Sequence, residues 1–228
     1  MSGSPYGLKA DPYSSHSLIL RYLPAGAGRK VLDVGAAGGY LAEILTRRGF
    51  EVTCLERDPG LAAQAAEKCR RVVIADLERE LPPLDGPFDV IVYGDILEHL
   101  SDPPRVLASL NRYLKEDGII IVSVPNVAHL WVRLQLFLGR FPYADRGILD
   151  RTHLRFFTRK SFLRLLADSK LTVVRLIPTP VPLPLLVPGR LHGRWLSALH
   201  ALNALSARCW QGLFAYQFIA VARREGAR

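Results

Sequence analysis

The chain has 228 residues, 49% of them hydrophobic, with a formal net charge of +9. That length and apolar share can bury one good core without a second domain, and no stretch reaches the roughly 18 apolar residues of a spanning helix, so a soluble or peripherally attached protein is expected. The three cysteines, Cys54, Cys69 and Cys209, are odd in number and lack metal-ligand spacing, and the N-terminus lacks a charged and then apolar leader. Both features favour a reduced cytoplasmic protein over a disulfide scaffold.

Residues 1–9 are small, polar and rich in Pro and Gly, and are expected to be flexible. Residues 11–23 begin with turn chemistry and Ser N-cap candidates, then place Leu18, Ile19 and Tyr22 at helical spacing. The apolar run 31–34 leads through DVGAAGG into a second helix whose Leu41, Ile44 and Leu45 recur at buried-face spacing. Gly35 and Gly39 keep the outer glycines of a nucleotide-binding βα turn, while Ala37 replaces the middle one. Gly49 follows Arg47 and Arg48 as a left-handed C-terminal cap, and the strand 52–55 ends in Glu56. An acid about 20 positions beyond such a turn is where βαβ units grip a ribose diol.

A helix from about Pro59 and an apolar run 72–75 closed by Asp76 and Leu77 come next, followed by FDVIVYGDILEHL from Phe88 and GIIIVSVPN from Gly118. Strands ending in polar residues and separated by helices predict a parallel sheet with its ligand at the carboxyl ends. If residues 95–100 form a helix, Asp95, Glu98 and His99 converge on one side. His99 then has two readings, as a base or divalent-ion ligand and as a brace for the loop. A helix over 104–114 should stop at Asp117 and Gly118, and Asn126 closes the fifth strand.

Taken together, LDVGAAGG, Glu56, Asp76-Leu77, FDVIVYGDILEHL and GIIIVSVPN resemble the class I S-adenosylmethionine-dependent methyltransferases over residues 15–177. The similarity is greatest to small-molecule enzymes with an LEHL motif, such as ubiquinone-type O-methyltransferases. The resemblance implies one Rossmann-like domain spanning residues 1–228, with a seven-stranded, mostly parallel α/β sheet in the order 3-2-1-4-5-7-6, helices on both faces and an antiparallel last strand. It implies S-adenosyl-L-methionine as cofactor. Asp33, Gly35, Ala36, Ala37 and Gly39 would form its loop, Glu56 would take the ribose with Arg57 as a further cofactor contact, Asp76 and Leu77 the adenine, and Gly94 and Asp95 the methionine side. Residues 1–25 would act as an N-terminal lid, with Tyr13 and His16 as contacts.

Beyond the fifth strand, residues 127–160 read as an acceptor-side lid and loop. The apolar stretch 127–141 suits a lid helix, a membrane-dipping helix or core packing. DRTHLRFFT, from Asp150, resembles a run in methyltransferases of glycan and lipid-linked pathways, and it sets four ionisable groups, Asp150, Arg151, His153 and Arg155, in six residues. An acceptor site and a salt-bridge network both fit that density. On the first reading His99, His153 and Asp95 are the catalytic candidates, and Asn126, His129, Asp150, Arg151 and Arg155 bind the acceptor; no metal site is assigned. Thr158 should cap a helix over 159–167, and residues 171–177 form a strand.

Residues 178–212 are an insertion before the last strand, 215–222. Five prolines between 178 and 190 predict an extended loop with neither helix nor central strand, and a basic amphipathic stretch follows to Trp210. From Gly147 onward there are 13 Lys and Arg against 3 Asp and Glu. Such a greasy, positive segment suits peripheral contact with the inner face of a membrane, or packing over the sheet edge. The function expected is methyl transfer, most simply to oxygen, on a small-molecule, glycan or lipid-linked acceptor. RNA methylation and a non-catalytic partner role are the alternatives. Nucleic acid is disfavoured because the basic residues alternate with aliphatic ones and not with a stacking platform of aromatics.

Overall fold

The computed structural model describes residues 11–26, 28–79 and 83–226, so the flexibility expected for residues 1–9 lies outside it. Helix α1, Ser15–Tyr22, starts at Ser14, whose hydroxyl accepts the Ser17 amide. Strand β1 is Lys30–Val34, helix α2 is Tyr40–Arg47, and β2 is Glu51–Glu56. Gly49 turns the chain between α2 and β2 at φ 85°, as its cap position predicts. Helix α3 is Pro59–Ala66, β3 is Arg71–Ile74, β4 is Phe88–Gly94, and α4 is Pro103–Asn111. Strand β5, Leu114–Pro125, precedes α5, Leu130–Phe137, and α6, Arg159–Asp168. Thr158 and Ser161 close a reciprocal capping box at the start of α6. Strand β6, Leu171–Thr179, short helix α7, Leu183–Leu186, long helix α8, Arg194–Cys209, and β7, Gln217–Arg224, complete the described chain.

The strands make one sheet in the order β3-β2-β1-β4-β5-β7-β6. Neighbours from β3 to β5 pair in parallel, and β7 runs antiparallel to both β5 and β6. Alternation along the strands feeds two cores. Leu32, Val34, Ile91, Tyr93 and Val122 pack with Leu107 of α4 and Phe162 of α6 on one face. Val31, Val52, Val90, Val92 and Ile121 pack with Leu18 of α1 and Leu45 of α2 on the other. The seven-stranded arrangement and its reversed last strand are those the sequence implies. Among the described residues no helix is long and apolar enough to cross a membrane.

Three local expectations need correction. Residues 95–100 do not form an α-helix: Asp95 takes a positive φ of 53° and only a 3-10 turn follows, Leu97–His99. Asp95 instead bonds to the Ser15 and Ser123 hydroxyls. The stop expected at Asp117 and Gly118 lies inside β5, because Leu114 already pairs with Phe88 of β4. The Pro-rich segment does contain a helical turn, α7, with a proline in its first positions, where a missing N–H costs nothing.

Candidate active site

The loop after β1 is built on left-handed backbone: Gly35, Ala37 and Gly39 have φ of 73°, 47° and 72°. A Cβ on Gly35 would lie 2.7 Å from the Ile96 side chain, and one on Gly39 would lie 2.8 Å from the Ala65 Cα, so both positions need glycine for space as well as for φ. Ala37 holds the same conformation with a methyl group. Ala36, between the outer glycines, is buried.

Glu56, at the end of β2, ties this loop to the neighbouring strand. Its Oε2 accepts the Ala37 amide at 2.8 Å, and its Oε1 accepts the amides of Arg57 at 2.7 Å and Asp58 at 2.9 Å. The Arg57 side chain is exposed. Asp33 is buried beneath the loop, and its Oδ2 has no hydrogen-bond partner. Burial, with smaller contributions from Cys69 and Glu56, pushes its carboxyl up to about 7. An orphaned buried acceptor calls for a donor from outside the chain.

At the end of β3, Asp76 accepts the Glu78 amide at 3.0 Å, and Leu77 is half-buried against the core. At the end of β4, beyond Gly94, Asp95 donates its amide to Ser123 Oγ at 3.0 Å, accepts the Ser123 hydroxyl, and accepts the Ser15 hydroxyl at 3.2 Å. The start of α1 is thus fastened across the strand ends. Asp33, Glu56, Asp76 and Asp95 close four adjacent strands with acceptors, a set suited to a ligand that brings hydroxyl and amino donors and positive charge.

The second half of the site comes from the loop before α6. The Glu98 carbonyl accepts the amides of Leu154 at 2.8 Å and Arg155 at 2.9 Å, which clips residues 150–158 onto the 3-10 turn. His99 and His153 consequently meet edge to face, with ring centroids 4.8 Å apart. His153 Nδ1 lies 3.1 Å from the Ile148 carbonyl and His99 Nδ1 lies 3.3 Å from that of Thr152. A carbonyl partner requires a proton on Nδ1, so each Nε2 is left as the acceptor. Burial, and then the neighbouring His99, hold the His153 imidazole below its usual range, which keeps it neutral near pH 7. Glu98 is buried with Oε2 unpartnered, and burial followed by Asp95 holds its carboxyl well above the usual range. Ligand atoms of Glu98, His99 and His153 lie within 4.8 Å of one another, a spacing also compatible with a divalent ion. The trio replaces the Asp95, Glu98 and His99 grouping expected from the sequence.

The other acceptor candidates are occupied by the fold. Asn126 is fully buried, with its amide nitrogen donating to the Ala215 carbonyl at 2.8 Å and its oxygen accepting the Ala128 amide at 3.0 Å. His129 caps α5 by accepting the Trp131 amide at 3.2 Å. Asp150 accepts the amide and hydroxyl of Thr152, Arg151 pairs with Asp145 at 2.9 Å, and Arg155 donates to the Ser101 carbonyl. Sequence reasoning missed Ser15 and Ser123, which meet Asp95 across 80 and 28 residues respectively; only strand register could have signalled the second. Tyr13 packs edge to face on His200, at 5.1 Å, and His16 is half-buried on the first turn of α1.

Residues 9–176 match the family model described as a methyltransferase domain. A ubiquinone biosynthesis O-methyltransferase of Pseudomonas aeruginosa is 33% identical over 109 residues, covering 44% of this chain and 46% of the relative. The enzyme of the same name from Xylella fastidiosa is 36% identical over 134 residues, covering 54% and 53%. The chain thus spans about half the length of these curated relatives. Among solved structures, a possible histamine N-methyltransferase of Thermotoga maritima aligns over 92% of this chain and 87% of its own, with a TM-score of 0.63 at 16% identity. The 4+2 cyclase SpnF aligns over 92% and 80%, with a TM-score of 0.62 at 20% identity. At such identity these likenesses concern the fold alone.

Proposed function

The chain belongs to the methyltransferase-domain family, and from that membership we propose that it is an S-adenosylmethionine-dependent O-methyltransferase acting on a hydroxyl of a small-molecule, glycan or lipid-linked acceptor. The observation that carries this reading is the convergence, at one sheet edge, of an acid-lined glycine loop with two imidazoles whose Nε2 atoms are free to accept. When bound, the cofactor supplies an electrophilic methyl group on a sulfonium whose departure leaves a neutral thioether.

The chain's own residues do the rest. Glu56 accepts the two hydroxyls of the ribose on lone pairs that its three backbone amides leave open. Asp95, and Asp33 through its unpartnered Oδ2, would serve the cationic end, and Asp76 with Leu77 would border the adenine. His153, neutral through burial, takes the proton of the acceptor hydroxyl, with His99 orienting it across their edge-to-face contact. A proton acceptor of this kind is worth on the order of 10²- to 10⁴-fold in rate.

The relatives named as ubiquinone O-methyltransferases support oxygen as the target. Exposed apolar side chains on α5 and α8, among them Phe137 at 87% and Trp195 at 55% exposure, support an acceptor with an aliphatic portion met at a membrane surface. The test is transfer of a labelled methyl group to three acceptors, a catechol, a free oligosaccharide and a polyprenyl-linked sugar, with RNA as a control. The reading expects label on a hydroxyl, reduced roughly 10²-fold or more in His153→Gln while cofactor binding persists. Label entering RNA alone, or none entering any acceptor, would reject it.

A further inference from the structure

Helix α1, strand β6 and helix α8 surround a cavity of about 380 Å³. Among the described residues, Tyr13, expected as a lid contact, is the one residue named for the candidate active site that also lines it. Its walls carry three arginines from three separate elements: Arg21 of α1, Arg175 of β6 and Arg208 of α8. Among the described residues none of the three guanidinium groups has an ion pair or hydrogen bond, and that of Arg175 rests over the Tyr22 ring at 5.3 Å. Arginines elsewhere in the chain do find acids: Arg47 pairs with Glu43, Arg151 with Asp145 and Arg164 with Asp168.

Among the described residues no Asp or Glu lines the cavity, and the sequence carries none between residues 169 and 224. Three like charges thus face one space with no counter-ion among the described residues. A planar guanidinium presents paired N–H donors that match the oxygens of a phosphate group, and like charges gathered in a concave site raise the local concentration of anions. Tyr13, Tyr22 and Gln211 add neutral hydrogen-bonding groups to the same walls. The volume lies in the range of small-ligand pockets, large enough for a diphosphate with part of its substituent.

We propose that this cavity is a binding site for a phosphate or diphosphate group, separate from the methyl-transfer site. Two sources carry that chemistry, a soluble phosphorylated compound and the headgroup of an anionic lipid. The second is brought close by the outer face of α8, where Trp195, Leu199 and Leu202 stand exposed beside Arg194.

The proposal stands independently of the methyltransferase reading, and its test needs no cofactor. The full chain is titrated calorimetrically with sodium pyrophosphate, and separately sedimented with phosphatidylcholine vesicles with and without about 30 mol % phosphatidic acid. Each probe is repeated on Arg175→Gln/Arg208→Gln and on Lys160→Gln/Arg164→Gln, which removes the same charge from exposed positions of α6 outside the cavity and away from α8. Pyrophosphate binding that falls roughly tenfold or more in the first variant, and less than about twofold in the second, supports the site and assigns a soluble ligand. The same pattern with phosphatidic acid vesicles alone supports it and assigns a lipid headgroup. Circular dichroism checks the fold of the double variant, and the single Arg208→Gln, on the exposed side of α8, replaces it should the double variant not fold. Binding of neither probe, or an equal loss in both variants, overturns the proposal.

Discussion

Replacing Glu56 with Gln keeps the size of the side chain and removes one oxygen and the charge. Glu56 accepts three backbone amides, one on Oε2 and two on Oε1, at 2.7 to 2.9 Å. The Gln oxygen would serve the pair from Arg57 and Asp58, leaving the Ala37 N–H facing an NH₂ group. One charge-assisted bond worth about 1.5–3 kcal/mol is lost and two others weaken toward the roughly 1 kcal/mol of neutral bonds, while water at this half-buried site recovers part of the sum. A net loss of about 2 kcal/mol in folding stability follows. The ribose loses one of its two acceptors and finds the loop displaced at Ala37, which should weaken cofactor binding by roughly 10- to 100-fold at 1.4 kcal/mol per decade. Urea unfolding and calorimetric titration with S-adenosylmethionine measure the two effects. An unchanged affinity with lowered stability would confine Glu56 to holding the loop, and no change in either would refute the reasoning.

The neighbouring loop positions should behave oppositely. Ala37→Gly removes a left-handed alanine, at about 1 kcal/mol, but adds similar unfolded-state entropy, so stability should change by less than about 1 kcal/mol and cofactor binding persist. Gly39→Ala drives a Cβ to within 2.8 Å of the Ala65 backbone at φ 72°, and chemical denaturation should show a loss above about 2 kcal/mol. Burial and the neighbouring His99 hold the His153 imidazole below its usual range, and a base must be neutral to act, so kcat/KM should rise with pH along an acidic limb that lies below the usual imidazole range. That acidic limb should vanish in His153→Gln, and a limb surviving unchanged would assign the titration elsewhere. Turnover should withstand EDTA, because His153 acts as the base with His99 orienting it; loss restored by Mn²⁺ would convert Glu98, His99 and His153 into a metal centre.

Most of the sheet was legible because each strand is a short apolar run closed by a polar residue, and local rules suffice for such elements. Gly49 as a cap, Ser14 and Thr158 as helix starts, and the reversal of β7 all followed from local chemistry or from the family resemblance. Errors arose where long-range pairing overrode local preference. Leu114 reads as the end of a helix, yet its pairing with Phe88 draws it into β5. Asp95 sits at helical spacing from Glu98 and His99, but Ser15 and Ser123 hold it in a left-handed conformation that breaks the helix before it starts. The meeting of His99 with His153 depends on two backbone bonds to the Glu98 carbonyl, and no side-chain pattern encodes those. Asn126 and Arg155 look like ligand contacts in the sequence because polar residues beside strand ends often are; here carbonyls of neighbouring loops engage them.

Calorimetric titration of the unmodified chain with S-adenosylmethionine tests the central claim most directly. Saturable heat with one cofactor per chain is expected, suppressed when S-adenosylhomocysteine already fills the site. Absence of heat from a folded sample would contradict that claim, leaving the acids of β1, β2, β3 and β4 without the ligand they are arranged to receive.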